Sequence, residues 1–193
     1  MSFLTGTQCE LMYSLPAAVT KNTYTTIAAF SGVAGTNTIC SIPAGWASNE
    51  NPNPVGRALL LEAFGTTATT SAATLAVALN VNPTVATSTG NISVAGALAP
   101  TAAITVPFHL RAYITITAFA TSTMTLQING TWRVESVATG GVPTTAAQCS
   151  GFSGSIASLD PRVTQYVELF GTWSASAAGN TTTLQQMFLW GLN

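Results

Sequence analysis

The chain has 193 residues, and only 6% of them are Asp, Glu, Lys or Arg, against roughly 25% in an ordinary globular protein. Five basic residues stand singly and the net charge is −1, which excludes a phosphate-binding patch and nucleic acid as a partner. Hydrophobic residues reach 47%, so the chain can bury a core, while its surface must be neutral and polar or covered by partners.

Residues 1–22 are the least periodic part of the chain. They mix Phe3, Leu4, Leu11, Met12 and Tyr13 ahead of Pro16. They read either as an arm that reaches a neighbour or as a first strand. Residues 23–193 read as one β-sandwich domain. The first six residues hold no basic stretch followed by an apolar one, so no secretory leader is expected. A loop follows at 45–54, with Trp46 among Gly, Asn and Pro. Residues 57–64 read as a buried strand through Leu59-Leu60-Leu61. Residues 80–107 read as a long loop. The uncharged stretch between Phe64 and Phe108 is dense in Thr, Ser and Asn, contains three prolines and has no apolar window of roughly 20 residues, so no membrane-spanning helix is expected there. No lipidation or polybasic signal points to a membrane surface.

Period-two alternation returns at 111–119, where Ile114, Ile116 and Ala118 share a face, and at 123–129, where Met124, Leu126 and Ile128 do. Another loop is expected at 139–161. Two strands close the chain: 163–169, through Val163, Gln165, Val167 and Leu169, and 182–192, ending in Phe188-Leu189-Trp190. No capped segment with a 3.6-residue period argues for a helix. The chain also resembles itself. Leu61-Glu62-Ala63-Phe64-Gly65-Thr66 and Val167-Glu168-Leu169-Phe170-Gly171-Thr172 each precede a small-residue turn and a returning apolar run. Residues 111–126 form a looser third copy. Each copy reads as a hairpin of an all-β, antiparallel, jelly-roll-like sandwich.

Little in the chain promises chemistry. There is one histidine, His109, and one aspartate, Asp160, and no Gly-x-Ser-x-Gly elbow, so a hydrolase triad has almost nothing to draw on. Cys9, Cys40 and Cys149 are odd in number and widely spaced. They read as free thiols, not as a disulfide framework or zinc site. Dispersed acids supply no metal site, and no phosphate-binding glycine loop is present. No cofactor is expected. Glu62 and Glu168 occupy matching places in the two copies. Brought together they would be a glycosidase pair; apart, each is a strand carboxylate beside an arginine. Among the tryptophans, Trp46 is the candidate for stacking on a sugar, whereas Trp132, Trp173 and Trp190 read as core. Three Asn-x-Ser/Thr sequons, at Asn91, Asn129 and Asn180, are at the frequency chance gives in so Asn- and Thr-rich a chain.

The hairpin grammar carries a resemblance. It lies in Leu-Leu-Leu-Glu-Ala-Phe-Gly at 59–65, Leu-Arg-Ala-Tyr-Ile-Thr-Ile at 110–116, Thr-Met-Thr-Leu-Gln-Ile-Asn-Gly at 123–130 and the run from Val167 to Met187. Over 57–193 the chain resembles small all-β virion proteins of tailed bacteriophages, particularly capsid decoration (cement) proteins. That resemblance implies a non-enzymatic homotrimer made in the host cytoplasm and seated on the capsid surface, with the major capsid protein and its own copies as partners. It assigns no functional residues. Phe3, Leu4, Leu11, Met12, Tyr13 and Trp46 are the expected partner contacts. The alternative is a tail or receptor-binding module that recognises host glycan.

Overall fold

A computed structural model describes residues 9–22, 25–31, 39–47, 54–69, 73–98, 104–134, 138–139, 142–143 and 148–192. Among them the regular structure is all strand. In chain order the strands are β1 (Cys9–Ser14), β2 (Val19–Asn22), β3 (Ala28–Ala29), β4 (Ser41–Ile42), β5 (Ala58–Thr69), β6 (Leu75–Asn82) and β7 (Ile92–Leu98). There follow β8 (Ile104–Ala120), β9 (Thr123–Val134), β10 (Ala138–Thr139), β11 (Val142–Pro143), β12 (Gln148–Leu159), β13 (Gln165–Trp173) and β14 (Thr181–Leu192).

Two antiparallel sheets face each other. Sheet A runs β1-β14-β5-β8-β9-β12, with β2 also on β14; sheet B runs β3-β13-β6-β7, with β4 also on β13. Among the described residues the short β10 and β11 pair with each other in a separate two-stranded sheet. This is the expected antiparallel β-sandwich. Its jelly-roll-like character lies in nested pairing: β5 with β14, β6 with β13, and β8 with β9.

The internal repeat folds differently from the expectation. Only the third copy, β8–β9, is a hairpin. In the other two, the strands on either side of the turn lie in opposite sheets: β5 in A leads to β6 in B, and β13 in B leads to β14 in A. Each copy is an arch over the sandwich edge. The two arches pair reciprocally, since β5 takes β14 and β6 takes β13. Sequence similarity reports like local shape, and an apolar strand, a small-residue turn and another apolar strand suit an arch as well as a hairpin.

The described part of the N-terminal segment lies on the chain's own sheet, with β1 and β2 both on β14. Strands also occupy parts of the two stretches read as loops. β7 lies within 80–107 and β12 within 139–161. Both are rich in Gly, Ala and Ser, residues of low strand propensity, and packing places them. At Gly154 of β12 a Cβ would come within 2.9 Å of the Ile92 side chain of β7. That contact seats one sheet's edge on the other and needs the bare backbone.

The core fills the space between sheets through alternation. β5 buries Leu59, Leu61 and Ala63, while Leu60, Glu62 and Phe64 face outward half-buried. The Leu-Leu-Leu run is therefore one-sided, not buried all round. Met124, Leu126 and Ile128 are buried as their spacing predicts, as are Gln165, Val167 and Leu169 on β13, whereas Val163 sits exposed in the preceding turn. Phe108 anchors an aromatic cluster, stacked on Trp132 at 4.6 Å and meeting Phe30 edge-on at 6.4 Å. Opposite this ring, Gly65 leaves room that a Cβ would take from Phe108 and the Thr183 carbonyl. Cys40 is fully buried, and burial pushes its thiol pKa well above the usual range; burial, with Cys40 nearby, does the same to the Tyr13 hydroxyl.

Two bulges set which residues face outward. On β8 the register slips between Ile116 and Ala118, and Ala118 turns to solvent, against the alternation that groups it with Ile116. On β14 it slips between Leu184 and Gln186. Before that bulge the even residues Thr182 and Leu184 are buried; after it the odd residues Met187, Leu189 and Gly191 are. One extra residue inverts the parity of the rest of the strand. Phe188 and Trp190 are thereby turned outward.

Candidate binding face

Outward positions of β1, β14, β5, β8 and β9 line up in register on sheet A. One row reads Leu11, Trp190, Leu60, Tyr113, Asn129. The next reads Phe188, Glu62, Arg111, Thr131. A third reads Gln186, Phe64, His109, Arg133. Leu11 and Tyr113 are exposed at 46% and 43%; Trp190, Leu60, Phe188, Phe64 and His109 are half-buried. An antiparallel sheet with one wet face normally carries polar side chains there. This one carries rings.

The rings hold one another in fixed orientations. Phe64 and His109 stack with centroids 4.3 Å apart and planes 5° apart. Phe188 and Trp190 lie 6.2 Å apart at 36°. At the centre, Arg111 Nε sits 3.6 Å from Glu62 Oε1, and its guanidinium lies 5.5 Å from the Tyr113 ring centroid. Farther along, the Ser153 hydroxyl donates to Asn129 Oδ1 at 2.8 Å and accepts from Gln127 Nε2 at 3.0 Å. The face therefore offers flat apolar surface with an ion pair and hydrogen-bonding groups set in it.

The expected contact residues divide. Leu11 is on this face. Met12 and Tyr13 are half-buried and pack against the core. Phe3 and Leu4 lie outside the described residues. Trp46 is half-buried, and the Arg57 guanidinium covers one side of its ring at 4.6 Å while Arg57 Nη1 donates to the Trp46 carbonyl at 2.6 Å. Trp132 and Trp173 are core, as read, at 0% and 1% exposure. Trp190 is not core; the bulge on β14 places it on the outer face. The consecutive Gln185-Gln186, both exposed, are the signal in the sequence that the alternation shifts there.

The other candidates do not assemble. Glu62 lies on sheet A and Glu168 on sheet B, so they form no carboxylate pair. Glu168 is buried at 3% exposure and accepts the Ala86 N–H at 2.8 Å. Burial raises its pKa from the ordinary carboxylate value, and the Ala86 bond opposes the rise. Asp160 is held by Arg162, whose Nε and Nη2 donate to its two oxygens at 2.9 and 2.7 Å, with the Arg162 backbone N–H adding a third bond. Those bonds lower its pKa to about 2. His109 Nε2, in turn, is buried and has no hydrogen-bond partner among the described residues. Among the described residues no group of three or more His, Cys, Asp or Glu is placed to hold a metal, and no helix is long and apolar enough to cross a membrane. At the sequons, both amide atoms of Asn91 are buried, and Asn180 Nδ2 donates to the Ala175 carbonyl at 2.8 Å.

No protein-family model matches the chain, and no curated protein matches it. Among solved structures it is similar to the CBM2 module of an evolved Dit of Lactobacillus casei BL23 phage J-1, with a TM-score of 0.35 and 11% identity over 97% of each chain. A likeness this remote assigns neither a family nor a function.

Proposed function

We propose that this chain is a non-enzymatic virion structural protein that works by binding, and that the outer face of sheet A recognises a host-surface glycan. The observation that carries the reading is the registered set of half-exposed rings, Trp190, Phe188, Tyr113 and Phe64, around the Glu62–Arg111 pair. Pyranose rings present apolar C–H faces that stack on aromatic surfaces, and their hydroxyls need donors and acceptors beside that surface. Rings already ordered by their neighbours lose little freedom on binding. A glycan array is the test. Binding by the native chain, lost in Trp190→Ala and Phe64→Ala while both variants keep a melting transition, is the expected result. An array on which the native chain is silent overturns it.

A second reading has its own support. Leu11 stands 46% exposed on the same face, and 6% charge suits a surface permanently covered by protein. In that reading the chain is a homotrimeric capsid decoration protein and the face docks on the major capsid protein. Many weak contacts repeated over a lattice would then stabilise the shell. Co-sedimentation with purified phage heads, abolished by Leu11→Asp, separates it from the glycan reading.

A further inference from the structure

Charge on the outer face of sheet A is uneven. The three outward rows across β1, β14, β5, β8 and β9 carry two arginines, Arg111 and Arg133, against one carboxylate, Glu62, in a chain whose net charge is −1. Strand pairing brings the arginines together. Arg111 lies opposite Thr131 and Arg133 opposite His109, so the two are diagonal neighbours on β8 and β9, roughly 7–8 Å apart at the backbone. Trp132 and Val134, on either side of Arg133, are buried, which turns the exposed Arg133 to the outer face.

The Arg111 guanidinium is both oriented and open. Its Nε lies 3.6 Å from Glu62 Oε1, and its carbon lies 5.5 Å from the Tyr113 ring centroid. A separation of 3.6 Å is too long for a hydrogen bond, so Glu62 orients the group without taking up its N–H donors. The Arg111 side chain is 47% exposed. A planar guanidinium takes two oxygens of a carboxylate or a phosphate side by side. Tyr113 keeps 43% exposure, so a pyranose resting on that ring brings its edge substituents to the guanidinium.

We propose that the glycan taken by this face is acidic, an inference that rests on the glycan reading of sheet A. One sugar ring stacks on Tyr113 and on Leu60, its neighbour in the row. The carboxylate or phosphate of that sugar accepts from the Arg111 fork, and Arg133 adds a second positive charge. Glu62 works against the anion by neutralising part of the Arg111 charge, which gives the proposal an opposite-signed test.

The experiment titrates the native chain at low salt with tetragalacturonate and with its methyl ester, and with galactose 6-phosphate and galactose, followed by the amide shifts of Arg111 and Tyr113. At least one acid should bind about tenfold or more tighter than its neutral counterpart, and the advantage should shrink as salt rises. The pair that shows it identifies the anion as carboxylate or phosphate. Arg111→Gln should bring that acid close to its neutral counterpart, and Glu62→Gln should widen the gap. Acids no tighter than their counterparts, or an advantage that survives Arg111→Gln, would overturn the acidic assignment. If the glycan array still reports neutral sugars lost on Trp190→Ala, the face stands as a neutral-glycan site. A silent array with no shifts overturns both readings.

Discussion

The two outer faces of the sandwich are built from similar sequence and treated differently. Val167-Glu168-Leu169-Phe170 on sheet B matches Leu61-Glu62-Ala63-Phe64 on sheet A. On sheet A the outward Glu62 and Phe64 stay half-buried, one paired with Arg111 and one stacked on His109. On sheet B the outward Glu168 and Phe170 are buried, at 3% and 1%. For Glu168 the β6–β7 connection makes the difference. It is tied down where Asn80 Nδ2 donates to the Thr87 and Thr89 carbonyls at 2.6 and 3.1 Å and where Glu168 accepts from Ala86, a residue at φ +57°. Asn80 and Glu168 are direct cross-strand partners. Glu168 and Phe170 are thus closed off from solvent on sheet B, whereas their counterparts Glu62 and Phe64 keep part of their surface open on sheet A.

Both faces rest on the core they share, so the largest effect comes from breaking it. Trp132→Ala removes a fully buried ring stacked on Phe108 and should cost about 3–5 kcal/mol. Urea unfolding should show it, and hydrogen exchange should rise on both sheets together. Independent loosening of one sheet would show that the sheets are not a single cooperative unit.

Asn80→Ala tests the covered face alone. It deletes both ties to the connection and should cost about 1–2 kcal/mol, with faster exchange confined to residues 83–90 and sheet A unaffected. An unchanged midpoint would mean the connection holds its place by other contacts.

Glu168 adds a pH signature to the same face. Its folded pKa is raised above the unfolded value, so the folded state favours the protonated acid. Stability is fully present below the unfolded carboxylate pKa and is lost as pH rises through the raised folded pKa. Glu168→Gln keeps an acceptor for the Ala86 N–H and removes the charge. It should flatten this part of the melting-temperature profile and raise the midpoint at neutral pH by a few degrees. A profile identical to the native one would assign the dependence to another group.

The smallest effect should fall on the open face. Glu62→Gln breaks an ion pair whose members are 26% and 47% exposed and should cost at most about 1 kcal/mol. A larger loss would mean that this face, too, serves the fold.

The sequence displays what alternation controls and hides what pairing controls. Met124, Leu126 and Ile128 show their common face directly, because nothing interrupts their strand. Trp190 does not, because its direction depends on an extra residue near Leu184, several positions away. β12 is invisible for another reason: Gln148-Cys149-Ser150-Gly151 has no strand preference of its own, and the strand exists because β9 pairs with it. Charge scarcity suggests a covered surface without saying where; the row of outward rings on sheet A emerges only from the register of five strands.

The reciprocal pairing of the two arches bears on how the chain is made. Thr67 on β5 donates its hydroxyl to the Thr181 carbonyl on β14, 114 positions later. β1 joins the same late strand. A ribosome delivers β5 long before β14, and the growing chain holds that strand with one edge bare until β14 is made. Such non-local closure is slow, and the waiting edge is open to other chains. Soluble yield in a cell should therefore respond to the speed of elongation and to chaperones that shield β5 until residue 192 has emerged.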